Sequence, residues 1–262
     1  MHPSKESQSK IVLVSTNTPE DRGLLMVRNT VLKCLEETGL LHVVVHGGMS
    51  DSLLMQYLKL ASAIGIPGGP DVQSVLYGEN AHPKNDRSDI ARDNLELKLL
   101  RWADEFNLPV LAFCRGLQLM AVEDGAKLTQ HLPDVISGEV HGKVGGVYAD
   151  LYAPEAQQKV ILERGNQLLE KILARYLPED FPSSQTVEVY IKSMHHQAVR
   201  EETLHDLVVV GRSEKRVVEV IVHPDKAFWL AFQGHLEADS TDSETDPVFL
   251  RAVLQVFREA IR

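Results

Sequence analysis

The chain has 262 residues, 44% apolar and 24% charged, which is enough nonpolar material for a sizeable core and excludes fibrous, collagenous or generally disordered classes. A formal net charge of −10 excludes the clustered basic surface that displaces counterions from phosphates, so the expected partner is a small molecule and not nucleic acid. No stretch approaches the roughly 18 apolar residues needed to cross a bilayer, and the polar N-terminus carries no signal-type apolar segment, so no membrane association and a cytoplasmic location are expected.

One domain over residues 1–262 is expected, with 1–9 as a flexible tail; α/β enzymes reach this length around a single sheet. Ile11-Val12-Leu13-Val14 reads as a first buried strand. Apolar spacing over 24–38 then predicts a helix that Gly39 stops. A strand at 41–45, a helix at 53–60 and a strand at 62–66 follow, the last ending in Pro67-Gly68-Gly69-Pro70. The polar segment 71–89 reads as a surface loop, and 92–105 as a helix with Leu95, Leu99 and Trp102 on one face. An apolar strand at 110–113 runs directly into Cys114 and a helical stretch at 117–123. This alternation predicts parallel strands with helical crossovers, hence a doubly wound, mostly parallel α/β sheet flanked by helices, of flavodoxin-like type. Further strands are expected at 187–191, 207–210, 217–222 and 228–232, and helices at 167–176 and 247–261. The acidic run 239–246 lacks the spacing of a calcium loop and reads as solvated.

Two cysteines are too few for a disulfide framework and lack the paired spacing of a structural zinc site. Cys34, inside a helical segment, reads as a small buried side chain with no role. Cys114 stands between a strand and a helix start, with Ala112 two residues before it and Gly116 two after. Small flanks suit a tight strand-to-helix turn that lifts its central residue above the sheet, and a helix N-terminus favours thiolate over thiol. A space-filling cysteine is the alternative reading. The segment Gln233-Gly234-His235-Leu236-Glu237, directly after a strand, weighs against that alternative. His235 can stand beside the thiol, with Glu237 behind the imidazole to fix its tautomer. Gly68 and Gly69, at another strand end, let backbone amides approach an oxyanion, and Arg115 would contribute the second amide; a simple tight turn is the other reading of the glycines.

Taken in order, Pro67-Gly68-Gly69-Pro70-Asp71, Leu76-Tyr77-Gly78-Glu79, Arg92-Asp93, Cys114-Arg115-Gly116-Leu117-Gln118, Ser193-Met194-His195-His196-Gln197-Ala198-Val199, Val218-Glu219 and His235-Leu236-Glu237 resemble the class I glutamine amidotransferase superfamily. The likeness is to its peptidase C26, γ-glutamyl-γ-aminobutyrate hydrolase-like group. That resemblance implies a hydrolase that cuts a γ-glutamyl amide bond, without cofactor or metal. Cys114 would form a γ-glutamyl thioester, His235 would be general acid and base, Glu237 would orient it, and the amides of Gly69 and Arg115 would hold the oxyanion. Gln118 would contact the glutamyl moiety, and His195, His196 and Gln197 would close the other side of the pocket, with at most one of the adjacent histidines facing substrate. The chain departs from the family's Trp-His-Pro-Glu, carrying Gly234-His235-Leu236-Glu237 instead. A glutaminase feeding ammonia to a partner synthetase and a silent binding module of the same fold are the alternative functions. The leaving group and the oligomeric state, a homodimer among the options, are open.

Overall fold

The computed structural model describes residues 10–17, 25–136, 143–144, 147–148, 156–241 and 246–262. The expected tail at 1–9 lies outside these residues, as do 242–245 of the acidic run.

The first half alternates strand and helix: β1 (Ile11–Ser15), α1 (Asn29–Glu37), β2 (Leu41–Val45), α2 (Asp51–Leu60), β3 (Ala63–Ile66), α3 (Ile90–Glu105), β4 (Val110–Phe113) and α4 (Arg115–Glu123). Three two-residue strands follow, β5 (Leu128–Thr129), β6 (Lys143–Val144) and β7 (Val147–Tyr148). The second half holds β8 (Gln157–Glu163), α5 (Gln167–Tyr176), β9 (Thr186–Lys192), β10 (Ala198–Val199), β11 (Val208–Ser213), β12 (Val218–Val222), β13 (Trp229–Phe232) and α6 (Pro247–Ala260). One large sheet orders its strands β2-β1-β3-β4-β13-β12-β11-β8-β9. Neighbours from β2 to β13 are parallel, and those from β13 to β9 antiparallel. The fold class is α/β, as the strand and helix alternation predicts.

Successive side chains of a strand point to opposite faces, and here each face meets its own helices. Val12, Val14, Leu111 and Phe113 pack with α1, α5 and α6; Leu13, Ile64, Val110 and Ala112 pack with α2, α3 and α4. Cys34 is buried in the first of these layers. Among the described residues no helix is long and apolar enough to cross a membrane.

Two of the expected boundaries differ by three residues or more. The helix predicted from residue 24 begins only at Asn29, because the Met26 carbonyl accepts from the Asn17 N–H at 3.2 Å and from the Thr16 hydroxyl, forming an isolated bridge that holds 25–28 out of the helix. The strand predicted at 207–210 runs on to Ser213, because Gly211, Arg212 and Ser213 pair with β8. Ladder hydrogen bonds override weak strand propensity there.

Gly116 lies where α4 presses on β3: a Cβ would fall 2.3 Å from the Ile66 carbonyl oxygen and 3.1 Å from the Ala112 Cβ. The backbone must move to admit it, so Gly116→Ala should cost about 1–3 kcal/mol. Thermal unfolding should show Tm lower by several degrees, at about 2–4 °C per kcal/mol for a chain of this size. An unchanged Tm would mean that α4 is not held that close to β3.

Candidate active site

Cys114 is the residue at which β4 turns into α4. Its φ of 52° and ψ of −109° lie outside the regions an L-residue prefers, and its N–H extends the sheet by donating to the Phe232 carbonyl at 2.7 Å. Such a conformation costs on the order of 1–3 kcal/mol and persists where the surroundings fix it, here the β4–β13 ladder on one side and the first turn of α4 on the other. The sulfur sits at the helix N-terminus, at the carboxyl end of the parallel strands.

His235 leaves the end of β13, and its N–H donates to the Lys192 carbonyl at 2.6 Å. Its ring Nδ1 is 2.8 Å from Glu237 Oε1, and both residues are buried. The next residue, Leu236, is anchored in the core, which turns the chain so that 235 and 237 face each other. A Cβ on Gly68 would fall 2.5 Å from His235 Cε1, 3.4 Å from His235 Nε2 and 3.4 Å from Cys114 Cβ, so turn, imidazole and thiol meet at one point. Gly234 has β9 against it: a Cβ would lie 2.4 Å from Ile191 Cδ1 and 2.7 Å from the Lys192 carbonyl oxygen.

Two of the buried imidazoles of this site, His235 and His195, are driven in opposite directions. Burial opposes the charge of His235, but the Glu237 carboxylate and the hydrogen-bonded Cys114 sulfur outweigh it and raise the ring's pKa from 6.5 to about 10. For His195, burial dominates and lowers the pKa to about 3; its Nδ1 donates to the Gln197 carbonyl at 2.8 Å.

A cavity of about 520 Å³ opens over the thiol. Gly68, Gly69, Cys114, Gln118, His195, His196, Gln197 and His235 border it, while Glu237 lies behind His235. Both adjacent histidines reach the wall, against the expectation that at most one could. Residues 193–196 are not an extended strand, so the alternation that would send one ring outward does not apply. Gln118 Nε2 donates to the Gln197 carbonyl at 3.2 Å and to Gln233 Oε1 at 3.3 Å, tying α4 to the opposite wall. The Arg115 side chain is turned away, buried between Asp93 and Glu96.

Other wall residues received no role from the sequence. Met26, Val27 and Arg28 form one side, where a helix was expected. Asp71, inside the quoted Pro67–Asp71 motif, hydrogen-bonds His196 Nε2 at 3.0 Å and accepts from the Asp86 N–H at 2.7 Å. Asp71, Asp86 and His196 bring one ligand-type atom each within 4.8 Å of the others, but His196 and Asp71 already satisfy each other as a hydrogen-bonded pair. Arg92, also on the wall, reaches the 67–69 turn from below. Its signal was legible: Arg92, Asp93 and Glu96 are charged residues buried in α3 among Leu95, Leu99 and Leu100.

This sheet order and a cysteine at the strand-to-helix turn define the class I glutamine amidotransferase fold. Solved structures agree: the glutaminase domain of a Trypanosoma brucei CTPS superposes with a TM-score of 0.59 over 95% of this chain and 94% of that one at 15% identity. A glutamine amidotransferase from Methylobacillus flagellatus does so with a TM-score of 0.57 over 98% and 96% at 14% identity. The peptidase C26 family model matches residues 10–237, and the chain belongs to that family. It is an enzyme of the glutamine amidotransferase-like hydrolase kind. A Mycobacterium tuberculosis protein whose name places it among glutamine amidotransferases is 34% identical over 69% of this chain, which spans only 52% of that protein. The γ-glutamyl-γ-aminobutyrate hydrolase of Escherichia coli K12 is 29% identical over 84% of this chain and 86% of its own.

A histidine whose folded pKa is raised stabilises the fold below its unfolded value and loses that contribution as pH climbs through the folded value, here between 6.5 and about 10. Ring ¹⁵N spectra of labelled protein should therefore show His235 doubly protonated at pH 8, and Glu237→Gln should bring its titration down toward neutrality. Titration of the parent's His235 near 6.5 would refute the ion-pair arrangement.

Proposed function

We propose that the protein hydrolyses the γ-glutamyl amide bond of a small molecule through a thioester on Cys114. The observation that carries this reading is the His235 imidazole held between the Glu237 carboxylate at 2.8 Å and the Cys114 sulfur, at the floor of an open cavity.

The Cys114 thiolate attacks the γ-carbonyl carbon, and the carbonyl oxygen takes up negative charge facing the amides of Gly69 and Arg115. His235 Nε2 gives its proton to the amine nitrogen as the C–N bond breaks, leaving a glutamyl thioester and a neutral imidazole. That imidazole then takes a proton from water, whose oxygen attacks the thioester carbon; the second tetrahedral intermediate expels the thiolate and releases glutamate. Glu237 holds the tautomer and steadies the imidazolium without itself taking the proton. Gln118, His195, His196 and Gln197 border the space for the glutamyl group and its leaving amine. The relatives named γ-glutamyl-γ-aminobutyrate hydrolase favour release of both products over transfer of ammonia to a partner synthetase.

Intact mass after brief mixing with a panel of γ-glutamyl amides, glutamine included, should show a glutamyl adduct on the parent, and Cys114→Ala should lose both adduct and turnover. Residual turnover within tenfold of the parent would sink the assignment. Absence of adduct and product across the panel would move the reading to a partner-dependent glutaminase or a silent module.

A further inference from the structure

Beneath the 67–69 turn lies a buried charge cluster to which the chemistry above assigns nothing. Arg92 is 1% exposed. Its Nη2 donates to the Pro67 carbonyl at 2.7 Å and to the Gly68 carbonyl at 3.1 Å, its Nη1 to Asn17 Oδ1 and its Nε to Glu96 Oε1. A Cβ on Gly69 would fall 2.2 Å from Arg92 Nη1, so the guanidinium is pressed directly against the turn. Glu96 also accepts from the Ser15 hydroxyl at 2.6 Å and from Arg115, the residue that follows the nucleophile.

Peptide geometry gives this cluster a consequence. The described peptide bonds are all trans, so the carbonyl of each points opposite to its N–H. Drawing the Gly68 carbonyl onto Arg92 turns the Gly69 N–H away from Arg92, and drawing the Pro67 carbonyl does the same for the Gly68 N–H. Gly68 faces Cys114 and His235 across the turn. Two successive glycines resist a peptide flip poorly on their own.

We propose that Arg92 is a positioning residue for acyl transfer: its guanidinium fixes the 68–69 peptide so that the Gly69 amide hydrogen meets the developing oxyanion. Glu96 joins the two donor segments, since it binds both Arg92 under the turn and Arg115 after the nucleophile. This inference rests on the hydrolase reading above. Lysine cannot substitute, because one ammonium cannot span two carbonyls, an amide oxygen and a carboxylate as the planar fork does.

The test compares the parent with Arg92→Lys on γ-glutamyl-p-nitroanilide. The kcat should fall about a hundredfold, the size of losing one oxyanion donor, with KM nearly unchanged. Alkylation of Cys114 by iodoacetamide should keep the parent's rate and pH profile, because Arg92 hydrogen-bonds neither Cys114 nor His235. Unchanged kcat, or alkylation falling in step with kcat, would overturn the proposal. Should Arg92→Lys fail to fold, Asn17→Ala removes one anchor of the guanidinium and keeps its ion pairs; lower kcat at constant KM supports the proposal, and raised KM at constant kcat overturns it. A parent that turns over no γ-glutamyl amide refutes the hydrolase reading instead. The positioning claim is then decided by crystal structures, in which a turned 68–69 peptide in the variant supports it and an unmoved one overturns it.

Discussion

The site depends on β4 lying beside β13. Their parallel register sets Val110 against Trp229 and Phe113 against Phe232, and the ladder continues one step further, from the Cys114 N–H to the Phe232 carbonyl. Two strands so registered leave the sheet at one level, so the first residue after one and the third after the other share a space although they are distant in sequence. β3, on the other flank of β4, delivers the 67–69 turn to the same level. Three segments are thus aligned by backbone hydrogen bonds before any catalytic side chain is considered. This is the usual advantage of the carboxyl ends of parallel strands as a place for ligands. The antiparallel half of the sheet contributes through β9, whose Lys192 carbonyl takes the His235 N–H and fixes the exit from β13.

A second constraint is the charge placed under that alignment. Two guanidiniums, Arg92 and Arg115, and two carboxylates, Asp93 and Glu96, are all essentially withdrawn from water. Burial alone would raise the Glu96 carboxyl, but Arg115 and Arg92 outweigh it and hold it below the ordinary carboxylate range. Buried ion pairs of this kind roughly break even against apolar packing, so stability is a poor reason for them. Direction is a better one, because each contact fixes an angle that an apolar side chain would leave free. The cluster touches the 67–69 turn and the first residue of α4, the two segments whose amides face the oxyanion in the proposed mechanism, and leaves the thiol and imidazole to their own partners.

Much of this was legible in the sequence for a simple reason. A buried parallel strand is a short apolar run, and a crossover helix is an amphipathic one, so the first half of the chain reads almost in structural order. Cys114 between Ala112 and Gly116, and His235 two residues before Glu237, announce themselves because a tight turn and a side-chain pair need fixed local spacing. What failed to read was set by contacts between distant segments. Residues 25–28 have helical spacing, yet a bridge to Asn17 holds them as a cavity wall. Arg212 and Ser213 belong to β11 because β8 pairs with both and β12 with Arg212. The strand alternation that separated His195 from His196 is absent where the chain turns, and no local pattern signals that turn. Arg92 is the intermediate case, since its position in an apolar helix was visible but its target, two carbonyls at a strand end, was not.

The pair His195 and His235 indicates how narrowly the site sets its charge. Both rings are buried at the border of the same cavity, so desolvation pushes both toward neutrality. His235 escapes because Glu237 stands at hydrogen-bond distance and the Cys114 sulfur lies on its other side. His195 has Glu219 no nearer than 3.7 Å and is further discouraged by the charge on His235 itself. Burial is the main cause of its neutrality, and the neighbouring imidazolium adds to it. The consequence is a charged ring beside the Cys114 sulfur and a neutral ring next to it; in the mechanism proposed above, the charged ring is the one that passes a proton between sulfur, leaving amine and water. In the proposed mechanism a second cation beside the Cys114 sulfur would stabilise the ground state that the reaction must leave, so in that reading a neutral His195 matters as much as a charged His235.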